Sequence, residues 1–261
     1  PLEREPRRRR SGIAQIDGRR HTTELGPGRR PQCVEVVRGR AVRREAFETA
    51  RAFGRDVLVE RCIEGRDYRL LVVGGRLVAA ARRDPPAVVG DGEHTVLELI
   101  EILNQDPLRR PGHSSVLSRV VPDEAVELVL EGQGLALDSV PDAGREVLLR
   151  TNSNLSTGGT ATDVTDEVHP HNAQVAELAA QILALDIAGV DLVAQDIGRP
   201  LEEQGGAIVE VNAAPGLRMH LYPTHGRSRD VGIPIVETLY PNGSPARIPI
   251  LAVTGTNGKT T

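Results

Sequence analysis

Asp191 lies in the apolar run Val190-Asp-Leu-Val193, and Glu210 and Asn212 stand two residues apart in Ala207-Ile-Val-Glu-Val-Asn212. On a strand, residues i and i+2 point to one face, so Glu210 and Asn212 present oxygens to the same site. If the two runs are adjacent antiparallel strands, Asp191 joins them. Oxygen donors of this kind suit a hard cation such as Mg²⁺, which keeps several waters and bridges substrate phosphates. Solvated polar residues on an exposed face would show the same spacing, and on the residues alone that alternative stays open.

Three further stretches carry chemistry. Glu60-Arg-Cys-Ile-Glu-Gly-Arg-Asp67 connects two strand-like runs. Its backbone N–H and C=O groups can read the edge of a flat heterocycle, and Asp67 can accept hydrogen bonds from a ribose. An acidic turn would look the same. The loop Asn154-Leu-Ser-Thr-Gly-Gly159 is flanked by Arg150. Gly158 and Gly159 let backbone amides approach an anion closely, and the hydroxyls of Ser156 and Thr157 add donors. Ile248-Pro-Ile-Leu-Ala-Val253 followed by Gly255-Thr-Asn-Gly-Lys-Thr-Thr261 reads as strand, glycine-rich turn and helix start. The backbone from Gly255 through Thr256, Asn257 and Gly258, together with Lys259, would hold phosphates, and Thr260 would ligate Mg²⁺. Lys259 is the single lysine of an arginine-rich chain, which marks it as retained for chemistry.

These residues need a scaffold, and the patterning supplies one. Glu45 to Phe53 reads as a short amphipathic helix closed by Gly54, and Asp56 to Glu60 as a strand. Tyr68 to Val73 and Arg76 to Ala81 flank Gly74-Gly75 as a hairpin. Thr95 to Gln105, Asp123 to Glu131, His171 to Leu185 and Asp230 to Leu239 are predicted helices. Glu146 to Arg150, Val190 to Val193 and Ala207 to Val211 are predicted strands. Interspersed helices, strands and hairpins give an α/β (α+β) class with a mixed or antiparallel sheet.

The 261 residues are 39% hydrophobic and 26% charged, an ordinary soluble composition. Aromatics are 2% and Trp is absent, so Val, Leu, Ile and Ala must build the core. A net charge of -4 gives no general reason to expect nucleic acid or membrane as partner. Cys33 and Cys62 lack metal-ligand spacing and are too few for a disulfide framework, which fits a reducing cytoplasm. Residues 1–44 are rich in arginine and show neither period, and are read as a disordered or aberrant segment.

In order along the chain, Glu60 to Asp67, Gly189-Val-Asp-Leu-Val193 and Val209-Glu-Val-Asn-Ala-Ala-Pro-Gly216 resemble the signatures of ATP-grasp ligases. The resemblance implies Glu60 near the adenine amino group, the backbone of Arg61 and Ile63 at the adenine edge, and Asp67 on the ribose. It implies Asp191, Glu210 and Asn212 as magnesium ligands. Leu70-Leu-Val-Val-Gly-Gly75, Asn104-Gln-Asp-Pro107, Asp138-Ser-Val-Pro141, Asn154 to Gly159, Asp186-Ile-Ala-Gly189, Gly216-Leu-Arg-Met-His-Leu221 and Val253 to Thr261 bring the resemblance to the cyanophycin synthetase family, over residues 45–261. It implies an ATP-grasp portion at 45–240, then a linker and the start of a Mur-ligase-like phosphate-loop domain at 241–261. ATP and Mg²⁺ are the implied cofactors. Aspartate, arginine and the cyanophycin polymer are the implied partners, in a homo-oligomeric full-length enzyme. Aspartate would be joined through an acyl-phosphate by the ATP-grasp part, and arginine by the Mur-like part. Arg150 and Arg218 are candidates for stabilising the acyl-phosphate or holding the acidic substrate, or are otherwise surface arginines; His220 reads as structural.

The start departs from the family. There the stretch reads Lys-Pro-Leu-Asp-Gly-Asn-His-Gly-Arg-Gly, a loop over the ATP phosphates; here Pro1-Leu2 agrees and Glu3-Arg-Glu-Pro-Arg7 does not. One G inserted after the GA of CCG-CTG-GAC-GGG-AAC-CAC-GG yields Pro-Leu-Glu-Arg-Glu-Pro-Arg, so we read a frameshift, restored before Glu45. Resequencing the DNA tests this. With that loop altered and the phosphate loop ending at Thr261, the expectation is a ligase fragment impaired on its own. Another ATP-grasp ligase of the D-alanine–D-alanine or glutathione type is the alternative, against which the terminal loop argues. A non-catalytic nucleotide- or polyanion-binding module is another; salt-dependent retention on DNA, lost without residues 1–44, would mark it.

Overall fold

The computed structural model describes residues 63–110, 116–241 and 244, and the backbone of four upstream strands. Those four are β1 (Ser11–Ile16), β2 (Arg20–Thr22), β3 (Cys33–Glu35) and β4 (Asp56–Arg61). Then follow β5 (Arg66–Val73), β6 (Arg76–Asp84), β7 (Ala87–Val89), helix α1 (Val96–Asn104), β8 (Arg109–Arg110), β9 (Leu117–Ser118), α2 (Glu124–Glu131), β10 (Glu146–Leu148) and β11 (Thr160–Asp163). The chain continues through α3 (Pro170–Ile182), β12 (Ile187–Ala194), the single turn α4 (Leu201–Gln204), β13 (Ala207–Asn212), the single turn α5 (Arg218–Leu221) and α6 (Gly232–Leu239). The helix expected at 45–53, the strand at 248–253 and the phosphate loop at 255–261 lie outside the described residues.

Local chemistry explains where elements begin and turn. Thr95 caps α1 with a reciprocal pair: the Glu98 amide donates to Thr95 Oγ1 (3.3 Å) and the Thr95 amide to Glu98 Oε2 (2.8 Å). Asp123 caps α2, accepting from the Val126 amide at 3.2 Å. Gly74 and Gly75 take φ of 57° and 76°, the doubly left-handed turn that a two-residue hairpin requires. Strand β1 runs parallel to β4, Ser11 opposite Asp56 through Ile16 opposite Arg61.

Five antiparallel strands form the main sheet, in the order β11-β6-β5-β12-β13. One face carries Tyr68, Leu70, Val72, Ala80, Val190 and Leu192, packed on Ala176 and Ala180 of α3. This apolar face is the main core. A second core gathers Val88, Val96, Ile100, Val126, Leu130 and Leu149 in a lobe inserted between β6 and β11.

The edge strand β11 was not expected from the sequence, since Thr-Ala-Thr-Asp shows no apolar alternation. It forms by pairing with β6, and its outer edge is covered by the strap at 224–226. There the Thr224 amide donates to Ala161 O (2.7 Å) and the Asp163 amide to His225 O (2.9 Å).

Candidate active site

The second face of the sheet is polar at one end. Asp67 stands opposite Arg83, Arg69 opposite Asp191, and Asp191 opposite Glu210, while Asn212 faces Gly189. Cross-strand partners share a face, so two carboxylates and an amide from β12 and β13 meet two arginines from β5 and β6. The adjacency and antiparallel sense expected for Asp191, Glu210 and Asn212 are therefore present.

These groups differ in what holds them. Asp191 is buried, and Arg69 grips it with two contacts, Nε to Oδ1 and Nη2 to Oδ2, the latter 2.9 Å. Arg83 Nη2 approaches Asp191 Oδ2 at 3.3 Å. Glu210 is exposed. The Asn212 amide nitrogen donates a long hydrogen bond to Gly189 O (3.5 Å), which leaves its oxygen as an acceptor. Among the described residues, no three His, Cys, Asp or Glu side chains gather into a cage. Two carboxylates and an amide oxygen instead fit Mg²⁺, which holds its waters and takes the rest of its shell from phosphates.

Asp67, the expected ribose ligand, accepts from Ser153 Oγ at 2.6 Å, so it is tied to the polar loop that follows. In that loop the expectation of amides aimed at an anion is corrected. The Thr157 and Gly159 amides donate to Asn154 O (3.1 Å each), the Gly158 amide to Leu155 O (3.3 Å), and the Asn154 amide to Asn152 Oδ1 (3.3 Å). These donors stabilise the loop itself. Gly158 is required for packing, with φ of 103° and a Cβ position 2.4 Å from Val120 Cγ2. What the loop offers outward is side chains: Asn154 and Ser156 are exposed, while Thr157 Oγ1 is bonded to Asn152 Oδ1 at 2.8 Å.

Arg109 was not singled out from the sequence, yet it joins the inserted lobe to this loop. Its buried guanidinium donates from Nη1 to Ser118 O (2.8 Å) and to Gly158 O (2.9 Å), and burial lowers its pKa. Arg150, expected to meet substrate, is also buried. Its Nη2 donates to Asp123 Oδ2 at 2.5 Å, so the acidic cap of α2 has drawn it inward. Stabilising an acyl-phosphate would require that pair to open. Arg218 is half-buried on α5, which packs against β6 and β11. Glu60 and Arg61 close β4, Ile63 is half-buried, and Gly255 to Thr260 lie outside the described residues. Arg69 and Arg83 were missed as site residues. The available signal was charge in the middle of otherwise apolar strand sequence.

His220 lies beneath this face, 2% exposed, with neither ring nitrogen hydrogen-bonded. Burial pushes its pKa down to about 4 from 6.5; the Arg69 guanidinium acts the same way and the Asp163 carboxylate opposes. Between those values the unfolded chain binds a proton that the folded chain does not. Stability is therefore expected to fall by roughly 3 kcal/mol as pH drops from 6.5 to 4. Urea unfolding at pH 7 and pH 4.5 checks this: His220→Leu should lose less stability on acidification than the parent. Equal losses would show that His220 does not carry the effect.

Residues 128–237 match the model of the RimK-like ATP-grasp domain. Over 207 residues the chain is 54% identical to the cyanophycin synthetase of Crocosphaera subtropica, a match covering 79% of this chain and 24% of that relative. It is 37% identical over 196 residues to the glutathione biosynthesis bifunctional protein GshAB of Clostridium perfringens, covering 75% of this chain and 25% of the other. Among solved structures, the bifunctional glutathione synthetase from Pasteurella multocida superposes with a TM-score of 0.60 at 32% identity, over 85% of this chain and 30% of that one. The chain thus spans about a quarter of the length of the curated relatives it matches.

Proposed function

We propose that this chain, which belongs to the ATP-grasp ligases, is part of a cyanophycin synthetase-like enzyme that joins a carboxylate to an amine with cleavage of ATP. The observation that carries this reading is the register of Asp191 opposite Glu210, with Asn212 two residues on, over a face lined by Arg69 and Arg83. In the proposed reaction the terminal carboxylate of the growing polymer attacks the γ-phosphate of ATP, giving an acyl-phosphate and ADP. The amine of aspartate then displaces phosphate and forms the amide. Little covalent chemistry falls to the protein, whose part is positioning and charge neutralisation.

Asp191, Glu210 and Asn212 would hold Mg²⁺, which neutralises phosphate charge when bound. Arg69 and Arg83 line the same face with positive charge for an anionic substrate. Asp67 would hold the ribose, Glu60, Arg61 and Ile63 the adenine, and the side chains of Asn154 and Ser156 the polymer. Residues 255–261 would begin the Mur-like part that adds arginine. A cytoplasmic, homo-oligomeric enzyme is part of the proposal. Among the described residues no helix is long and apolar enough to cross a membrane.

The test is incorporation of labelled aspartate into polymer, coupled to phosphate release, by the chain and by any longer polypeptide that carries it. The 261-residue chain is expected to show no turnover, and the longer polypeptide to depend on aspartate. Turnover by the chain itself would overturn the reading of a damaged phosphate-covering loop. A longer polypeptide that ligates D-alanine or glutathione precursors instead would overturn the substrate assignment.

A further inference from the structure

We propose that Arg69 is a latch on the metal site: it holds Asp191 until phosphate oxygens arrive, and its transfer to them opens Asp191 to the divalent cation. The inference rests on the reading of Asp191 as a metal ligand. It makes Arg69 a positioning residue that orders nucleotide and metal binding.

Three observations carry it. The Arg69 guanidinium lies along the Asp191 carboxylate with two contacts, and Arg83 adds a third at 3.3 Å. Both carboxylate oxygens are therefore covered by positive groups, and a cation approaching Asp191 alone meets repulsion. Next, the site is shaped for this arrangement. A Cβ on Gly189 would fall 3.1 Å from both Cδ and Nη1 of Arg69, and 2.6 Å from Pro215 Cβ. The absent side chain makes room for the arginine to lie against β12. Finally, the other carboxylate differs: Glu210, directly opposite Asp191, is exposed.

A phosphate group offers a guanidinium the same paired geometry that a carboxylate does, with more negative charge. Incoming phosphates can therefore draw Arg69 away from Asp191. Arg83 Nε has no hydrogen-bond partner within the protein and remains as a further donor. Release of the carboxylate is then coupled to the arrival of the ligand that the metal must bridge.

The test is Mn²⁺ binding to the full chain, followed by the electron paramagnetic resonance signal of unbound Mn²⁺. Without nucleotide, Arg69→Gln is expected to bind Mn²⁺ about tenfold or more tightly than the parent, because removing a close opposite charge exposes Asp191 to the cation. Arg69→Lys, which keeps a charge but not the paired contact, should gain less, and it serves if the glutamine variant does not fold. The gain should vanish in Arg69→Gln/Asp191→Asn. Equal affinity in the parent and both Arg69 variants overturns the latch, as does a gain that survives in the double variant. A separate arm measures Mn²⁺ with the β,γ-imido analogue of ATP. If Asp191→Asn has no effect there, the metal-ligand reading has failed, which distinguishes that failure from failure of the latch.

Discussion

Replacing Asn172 with leucine is expected to cost roughly 2–4 kcal/mol of stability, because three hydrogen bonds of a buried amide are lost and the Leu201 amide is left unpaired, while Ile197 O and Arg199 O keep the His169 amide and Gln204 Nε2 as donors. Asn172 is fully buried in the first turn of α3. Its Nδ2 donates to Ile197 O (2.9 Å) and Arg199 O (2.7 Å), and its Oδ1 accepts from the Leu201 amide (3.0 Å). One side chain thus fixes the connection between β12 and β13, the two strands that present Asp191 and Glu210. Asn172→Asp should also be severe, since it keeps the acceptor but loses both donors and buries a charge. Thermal or urea unfolding measures both variants. A loss below about 1 kcal/mol in the leucine variant would mean that water or a shifted backbone satisfies the Leu201 amide.

Glu210→Gln is expected to leave folding almost unchanged, within about 0.5 kcal/mol for an exposed side chain, while removing most of the metal-dependent nucleotide affinity. Outer partners of metal ligands already contribute 10- to 100-fold to affinity, so loss of Glu210, a charged ligand in the proposed site, should cost about 100-fold or more. The expectation is sharper because Asp191 is neutralised by Arg69 and Arg83. Glu210 is then the negative charge that a cation first meets. Equilibrium dialysis of ADP with Mg²⁺ and with EDTA isolates the metal-dependent part. If Glu210→Gln retains the parent's difference between the two conditions, Glu210 is not a ligand.

Much of the scaffold was legible in the sequence because the signals are local. Thr95 with Glu98, Asp123 before Glu124, and Gly74-Gly75 each act within a few residues, and each marks a boundary that the structure keeps. The period-2 spacing of Glu210 and Asn212 is local in the same sense. Strand β11 was not legible, since it exists through its pairing with β6 and the strap at 224–226, not through its own pattern.

By itself the sequence carried the resemblance to the family, the order of the motifs, and the candidate oxygen donors Asp191, Glu210 and Asn212. Residue type and spacing are properties of the chain. Only the tertiary structure decided which charges meet. Arg69 and Asp191 are 122 residues apart, and Arg109 reaches the Gly158 carbonyl across 49. Sheet register, not sequence spacing, brings the first pair together. Burial then turned Arg150 toward Asp123 and closed the glycine-rich loop on its own carbonyls, because a group cut off from water must bond to whatever the fold places beside it.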